Sequence, residues 1–246
     1  MSHTYYDMPN YRYFSKTKDM LLFLFSVASF KCKFGKIIFM AISVEDLNDQ
    51  LKYKQVLVLS YDNLIPFVLE YLKKKSLLTF AYYFICIVFL GISIRVIINI
   101  GGYFPIREMV LHSALGLLFL PVLCIPVHEL LHIIPYYLGG AKRIRTGMDL
   151  RQFLFYVTAH RHVASPVLFL IVAIVPFLLF SIVLLLLVFM LPGLWKWSLS
   201  LFLFVHTTMC AGDFALLNFY FINRNRKIYT WDDADQKIAY FYEEIT

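Results

Sequence analysis

The chain of 246 residues is 60% hydrophobic and 18% aromatic, carries only 16% charged residues, and has a mean hydropathy of +0.69. Water-soluble domains hold about 45–50% apolar and about 25% charged residues, so this composition excludes disorder, collagen-like repeats and a single water-soluble core. The formal net charge of +7 fits loops facing anionic lipid headgroups, and no nucleic-acid partner is expected.

Met20 to Phe30 is apolar but short, and it lies between Lys18 and the run Lys31, Lys33, Lys36. Crossing about 30 Å of hydrocarbon takes roughly 20 helical residues, and no small-residue cleavage site follows, so neither a span nor a signal peptide is expected. Residues 1–40 are predicted to be an interfacial or poorly ordered extension. Ser43-Val44-Glu45-Asp46 reads as a helix start, which makes Met40 a candidate start of the working protein. Residues 41–76, with Val56-Leu57-Val58-Leu59 ahead of Lys73-Lys74-Lys75, are expected to form a small cytoplasmic or interfacial segment.

Four stretches are long and apolar enough to span: Leu77 to Ile100, Met109 to Leu138, Ala164 to Met190 and Trp197 to Ile222. Short connections at Gly101-Gly102 and Pro192-Gly193 make them two antiparallel hairpins. The predicted fold is therefore an all-α membrane protein of four transmembrane helices over residues 77–222. Lys142-Arg143-Ile144-Arg145 and Phe153-Leu154-Phe155-Tyr156-Val157 suggest a small β-hairpin in the 141–163 loop, either a clamp for extended substrate or a basic loop hugging the membrane. Residues 223–246 read as an exposed acidic tail without chemistry. Lys and Arg concentrate in residues 1–76, in 139–163 and after Ile222. By the positive-inside rule both termini of this multi-pass protein are cytoplasmic. Cys32, Cys86, Cys124 and Cys210 show no paired spacing, and no disulfide framework is expected.

The second span contains His128-Glu129-Leu130-Leu131-His132. Residues four apart share a helix face, so both imidazoles can hold one zinc ion with the Glu beside it. Asp213, in Cys210-Ala211-Gly212-Asp213 of the fourth span, is the expected third ligand. At 1.5 Å per residue His132 and Asp213 lie about 9 and about 14 Å from the cytoplasmic ends of their spans, close to one depth. Two imidazoles, two carboxylates and a divalent zinc sum to zero charge, which offsets the cost of burying them. Three protein ligands leave a fourth position open, the pattern of a catalytic zinc, and Glu129 is placed to act as general base in peptide-bond hydrolysis. His160 and His162 are the runner-up third ligands. His206 lies seven residues from Asp213, about 10 Å along a straight helix, so it is assigned a supporting, water-access or packing role. Pro121, Pro126 and Pro135 bracket the motif and can kink the span into lining a wet cavity.

The His128-to-His132 motif with Pro135 and Gly139-Gly140, the Pro176-containing third span and Gly212-Asp213 resemble the putative zincin peptidase family of bacterial membrane proteins. More distantly they are similar to intramembrane metalloproteases of the site-2 type. The resemblance covers roughly residues 77–221. It implies zinc at His128, His132 and Asp213, Glu129 as general base, a bacterial cell membrane, and a membrane-protein or peptide substrate. A catalytically silent metal-binding scaffold or chaperone is the alternative, with a metal transporter ranked behind it.

Overall fold

The computed structural model describes residues 42–149 and 154–245. The expected extension 1–40 and the tip of the 141–163 hairpin lie outside the described residues. After strand β1 (Tyr53–Ser60) and helix α1 (Leu64–Lys73), α2 covers Leu77–Ile100. Its start is fixed by a reciprocal cap that satisfies free backbone donors: Ser76 Oγ accepts the Thr79 N–H at 3.1 Å, and Thr79 Oγ1 accepts the Ser76 N–H at 3.0 Å.

Helix α3 (Ile106–Ala114) passes through one π turn (Leu115–Phe119) into α4 (Leu120–Leu138). Pro121 accounts for the wide turn, because it has no N–H to return to the preceding turn. Helix α5 (Pro166–Met190) starts where Ser165 Oγ accepts the Leu168 N–H, and α6 (Gly193–Met209) and α7 (Ala211–Ile222) complete the helices. Three runs, α2, Ile106–Leu138 and α5, are long and apolar enough to cross a membrane. Helices α6 and α7 are long and apolar enough only as a pair bent by 45°, a broken span or a re-entrant loop, which gives three such runs or up to four. Their outward faces expose Phe84, Ile87, Leu123, Ile182 and Phe189, a surface suited to lipid rather than water.

The bend has a local cause. Thr207 and Thr208 bond back to the carbonyls of Leu203 and Val205, a habit that bends helices, and the Tyr82 hydroxyl donates to the Thr208 carbonyl beside the break. Inside the bundle, Tyr82, Phe177, Cys210 and Phe214 pack in one cluster, and Phe89, Leu184, Phe202 and Leu203 in another. Trp197 contributes to helix packing, with its indole N–H donating to Ser113 Oγ at 2.8 Å. Cys86, Cys124 and Cys210 are free thiols.

The all-α expectation holds only for the apolar part. Strands β4 (Ile228–Asp233) and β5 (Ile238–Glu244) form a hairpin, and β1 pairs with β5 to give an antiparallel sheet in the order β1-β5-β4. The anticipated hairpin is present as β2 (Ile144–Asp149) paired with β3 (Leu154–Ala159). After β3 the chain docks on β4, where Ala164 and Thr230 exchange backbone hydrogen bonds at 2.7 and 3.1 Å. Residues 223–246 are therefore not an exposed tail: Ile228, Tyr229, Thr230 and Phe241 are almost wholly buried. Alternation puts Ile228, Thr230 and Phe241 on one face, where Phe241 packs on Phe219 of α7, while Tyr229 on the other face packs against Val44, Leu47 and Val163. Both sheets lie at the end of the helices where α4 and α7 finish and α2 and α5 begin.

Candidate metal centre

The bend at Cys210 and the face of α4 meet at one point. His128 and His132 project from α4 one turn apart, with ring centroids 5.1 Å apart. Asp213, three residues past the bend, places Oδ2 3.3 Å from His128 Nε2 and Oδ1 3.6 Å from His132 Nε2. Donor atoms from the three residues all lie within 4.8 Å of one another. Atoms held 2.0–2.2 Å from a shared tetrahedral centre stand about 3.3–3.6 Å apart, so the two imidazole-to-carboxylate distances suit a zinc-sized cation.

The rest of each imidazole bears on this. His132 Nδ1 lies 2.9 Å from the Val172 carbonyl, which can only accept, so in the neutral ring the hydrogen is on Nδ1 and the Nε2 lone pair faces Asp213. His128 Nδ1 lies 3.2 Å from His206 Nε2. When Nε2 of His128 serves as a ligand, Nδ1 keeps its hydrogen and donates it to His206, and both donor rings are oriented alike.

His206 is the residue the sequence undervalues. On a straight helix it and Asp213 could not reach the same imidazole; the 45° bend between α6 and α7 lets both do so, from opposite sides of the ring. Paired Thr207-Thr208 one turn ahead of Gly212 is the sequence signal for such a bend. His128, His206 and Cys210 also form a close donor group. His206 and Cys210 are almost entirely enclosed, however, and neither lines the cavity that His128, His132 and Asp213 share.

That cavity measures about 240 Å³ and is walled by α4, α5, α7 and the inner face of the three-stranded sheet. Glu129 lines it and also lines a second cavity, of about 410 Å³, against the β2–β3 hairpin; Phe155 and Tyr156 of β3 are common to both. Glu129 thus stands where the cavity shared by His128, His132 and Asp213 meets the hairpin, beside the donor triad and outside it.

The runner-up ligands are placed elsewhere. His160 Nδ1 accepts the Ala234 N–H at 3.1 Å, and its Nε2 faces Asp235, which is paired with Arg145. With Asp233 these residues make a further donor group at the β4–β5 turn, but its ring nitrogen and carboxylate already have partners. His162 Nε2 is buried without a hydrogen-bond partner among the described residues, and burial lowers the pKa of its imidazole. His112 binds Ser198 Oγ at 2.7 Å, between α3 and α6.

Comparison with protein families gives a match over residues 121–229 to the family described as Putative zincin peptidase. The matched interval contains His128, Glu129, His132, His206 and Asp213. Comparison with curated proteins and with solved structures gives no match.

Proposed function

With residues 121–229 matching the Putative zincin peptidase family, we propose that the protein is a zinc-dependent peptidase working inside the membrane near its cytoplasmic face. His128, His132 and Asp213 hold the metal, and Glu129 is the general base. The donor spacing of 3.3 and 3.6 Å carries the assignment, and the family match supports the same chemistry.

A zinc ion at this position supplies Lewis acidity that polarises a carbonyl and acidifies water. The protein does the rest. Val172 and His206 hold the two imidazoles in one orientation. Glu129 takes a proton from water as it attacks the scissile carbonyl and delivers it to the departing amine nitrogen. The apolar walls of the cavity limit competing solvent and strengthen these charge interactions. Substrate enters in extended form along the β2–β3 hairpin, whose Phe155 and Tyr156 lead to Glu129.

The test is metal analysis of the purified full chain together with Glu129→Gln. The expected result is one zinc per chain in both proteins and peptide cleavage by the parent alone. A chain without stoichiometric metal, or a Glu129→Gln variant as active as the parent, overturns the proposal; the latter result is the one a silent scaffold would give.

A further inference from the structure

The cavity beside the donor triad contains another carboxyl group, one the hydrolytic chemistry does not use. Asp232 lies in the cross-strand row Leu59–Ala239–Asp232, next to the row Leu57–Phe241–Thr230. Leu59, Ala239, Phe241 and Thr230 line the cavity with it, so the acid is turned inward within an apolar patch of sheet. Among the described residues no cation is paired with Asp232, while Arg145 pairs with Asp235, Arg161 with Glu45, Arg226 with Glu243 and Lys227 with Glu244. Among the described residues no lysine or arginine lines the cavity.

Charge balance sharpens the point. Zinc would offset Asp213 and Glu129, leaving the charge of an ionised Asp232 without a counterpart. Burial pushes the Asp232 carboxyl up to about 7. Tyr61, Tyr136 and Tyr156 line the same cavity, and the Tyr61 hydroxyl is pushed up by burial and further by the charge of Asp232. A carboxylate that shares its cavity with tyrosine rings, and that no cation among the described residues pairs with, suits an ammonium group, which gains an ion pair and aromatic faces together.

We propose that Asp232 selects the substrate by receiving a primary ammonium group of the peptide, a lysine side chain or a free α-amine, while a neighbouring peptide bond lies at the metal centre. This rests on the peptidase reading. Both sources present the same chemistry to Asp232 and differ only in where the scissile bond falls relative to the charge.

The experiment is calorimetric titration of the full chain carrying Glu129→Gln, in detergent micelles with zinc added, so that nothing is turned over. Three probes are compared: acetyl-Ala-Ala-Lys-Ala-Ala-amide, the same blocked peptide with norleucine for lysine, and the norleucine peptide with a free amino terminus. One of the two amine-bearing peptides should bind about tenfold or more tightly than the blocked norleucine peptide, and which one does so identifies the source. Adding Asp232→Asn should abolish the difference while zinc content stays unchanged, and Asp232→Glu should keep it. Equal or unmeasurable binding of all three peptides, or a preference that survives Asp232→Asn, overturns the proposal. Loss of Glu129-dependent turnover would defeat only the peptidase reading, because the titration needs no catalysis.

Discussion

His206 Nε2 stands 3.2 Å from His128 Nδ1, on the far side of the imidazole from Asp213. Removing the acceptor frees the ring to turn and lowers the basicity of its other nitrogen. His206→Leu is therefore expected to weaken zinc binding by about 10–100-fold, and His206→Gln, whose amide oxygen can accept the same hydrogen, to restore part of it. Competition with a fluorescent chelator measures both; equal affinity in His206→Leu and the parent would remove the role.

Gly147 faces Tyr156 across the β2–β3 pair, and a methyl group at that position would run into the tyrosine ring. Because Tyr156 walls both cavities, Gly147→Ala should push the ring into substrate space. Overpacking is expected to cost about 1–3 kcal/mol of stability. Thermal unfolding in detergent reads the stability, and a raised KM with unchanged zinc content reads the displacement.

Asn218 ties α7 to the turn ahead of α2. Its side-chain oxygen accepts from Ser76 Oγ at 2.6 Å, and its amide donates to the Tyr71 carbonyl at 2.7 Å. Asn218→Leu fills the space but strands both partners, at about 1–3 kcal/mol for each buried group left unpaired. A lowered melting temperature is expected; an unchanged one would show that water satisfies these groups.

Asp232 makes stability depend on pH in a defined direction. Its carboxyl stands near 7 in the folded chain against 3.8 for the ordinary side chain. The folded state keeps the proton where the unfolded state has lost it. The contribution is complete below about pH 4, declines from there to about pH 7, and changes no further above. Asp232→Asn should flatten this decline and raise the melting temperature at pH 8 more than at pH 4, as unfolding at the two pH values would reveal.

The apolar runs were legible because a helix crossing lipid must be long and uncharged, and each expected run is helical here. Two of the expected ligands share a helix face by spacing alone, so their proximity follows from the sequence. The sheet was not legible. β1 and β5 lie about 180 residues apart, and the sequence near Trp231-Asp232-Asp233 looks like a solvated acidic stretch unless the inward turn of Thr230 and Asp232 is known. His206 was misjudged for a related reason: distance along a straight helix is a poor guide across a bend set by side chains bonding back to the backbone.

Among the described residues, the pairing of β1 with β5 encloses the α-helices between two strands, one made before the first of them and one after the last. During synthesis the donor triad is already in the chain while the sheet that walls its chamber still lacks its central strand. Until residues 238–244 have left the ribosome, His128, His132 and Asp213 are present in the chain beside a cavity whose sheet wall is incomplete.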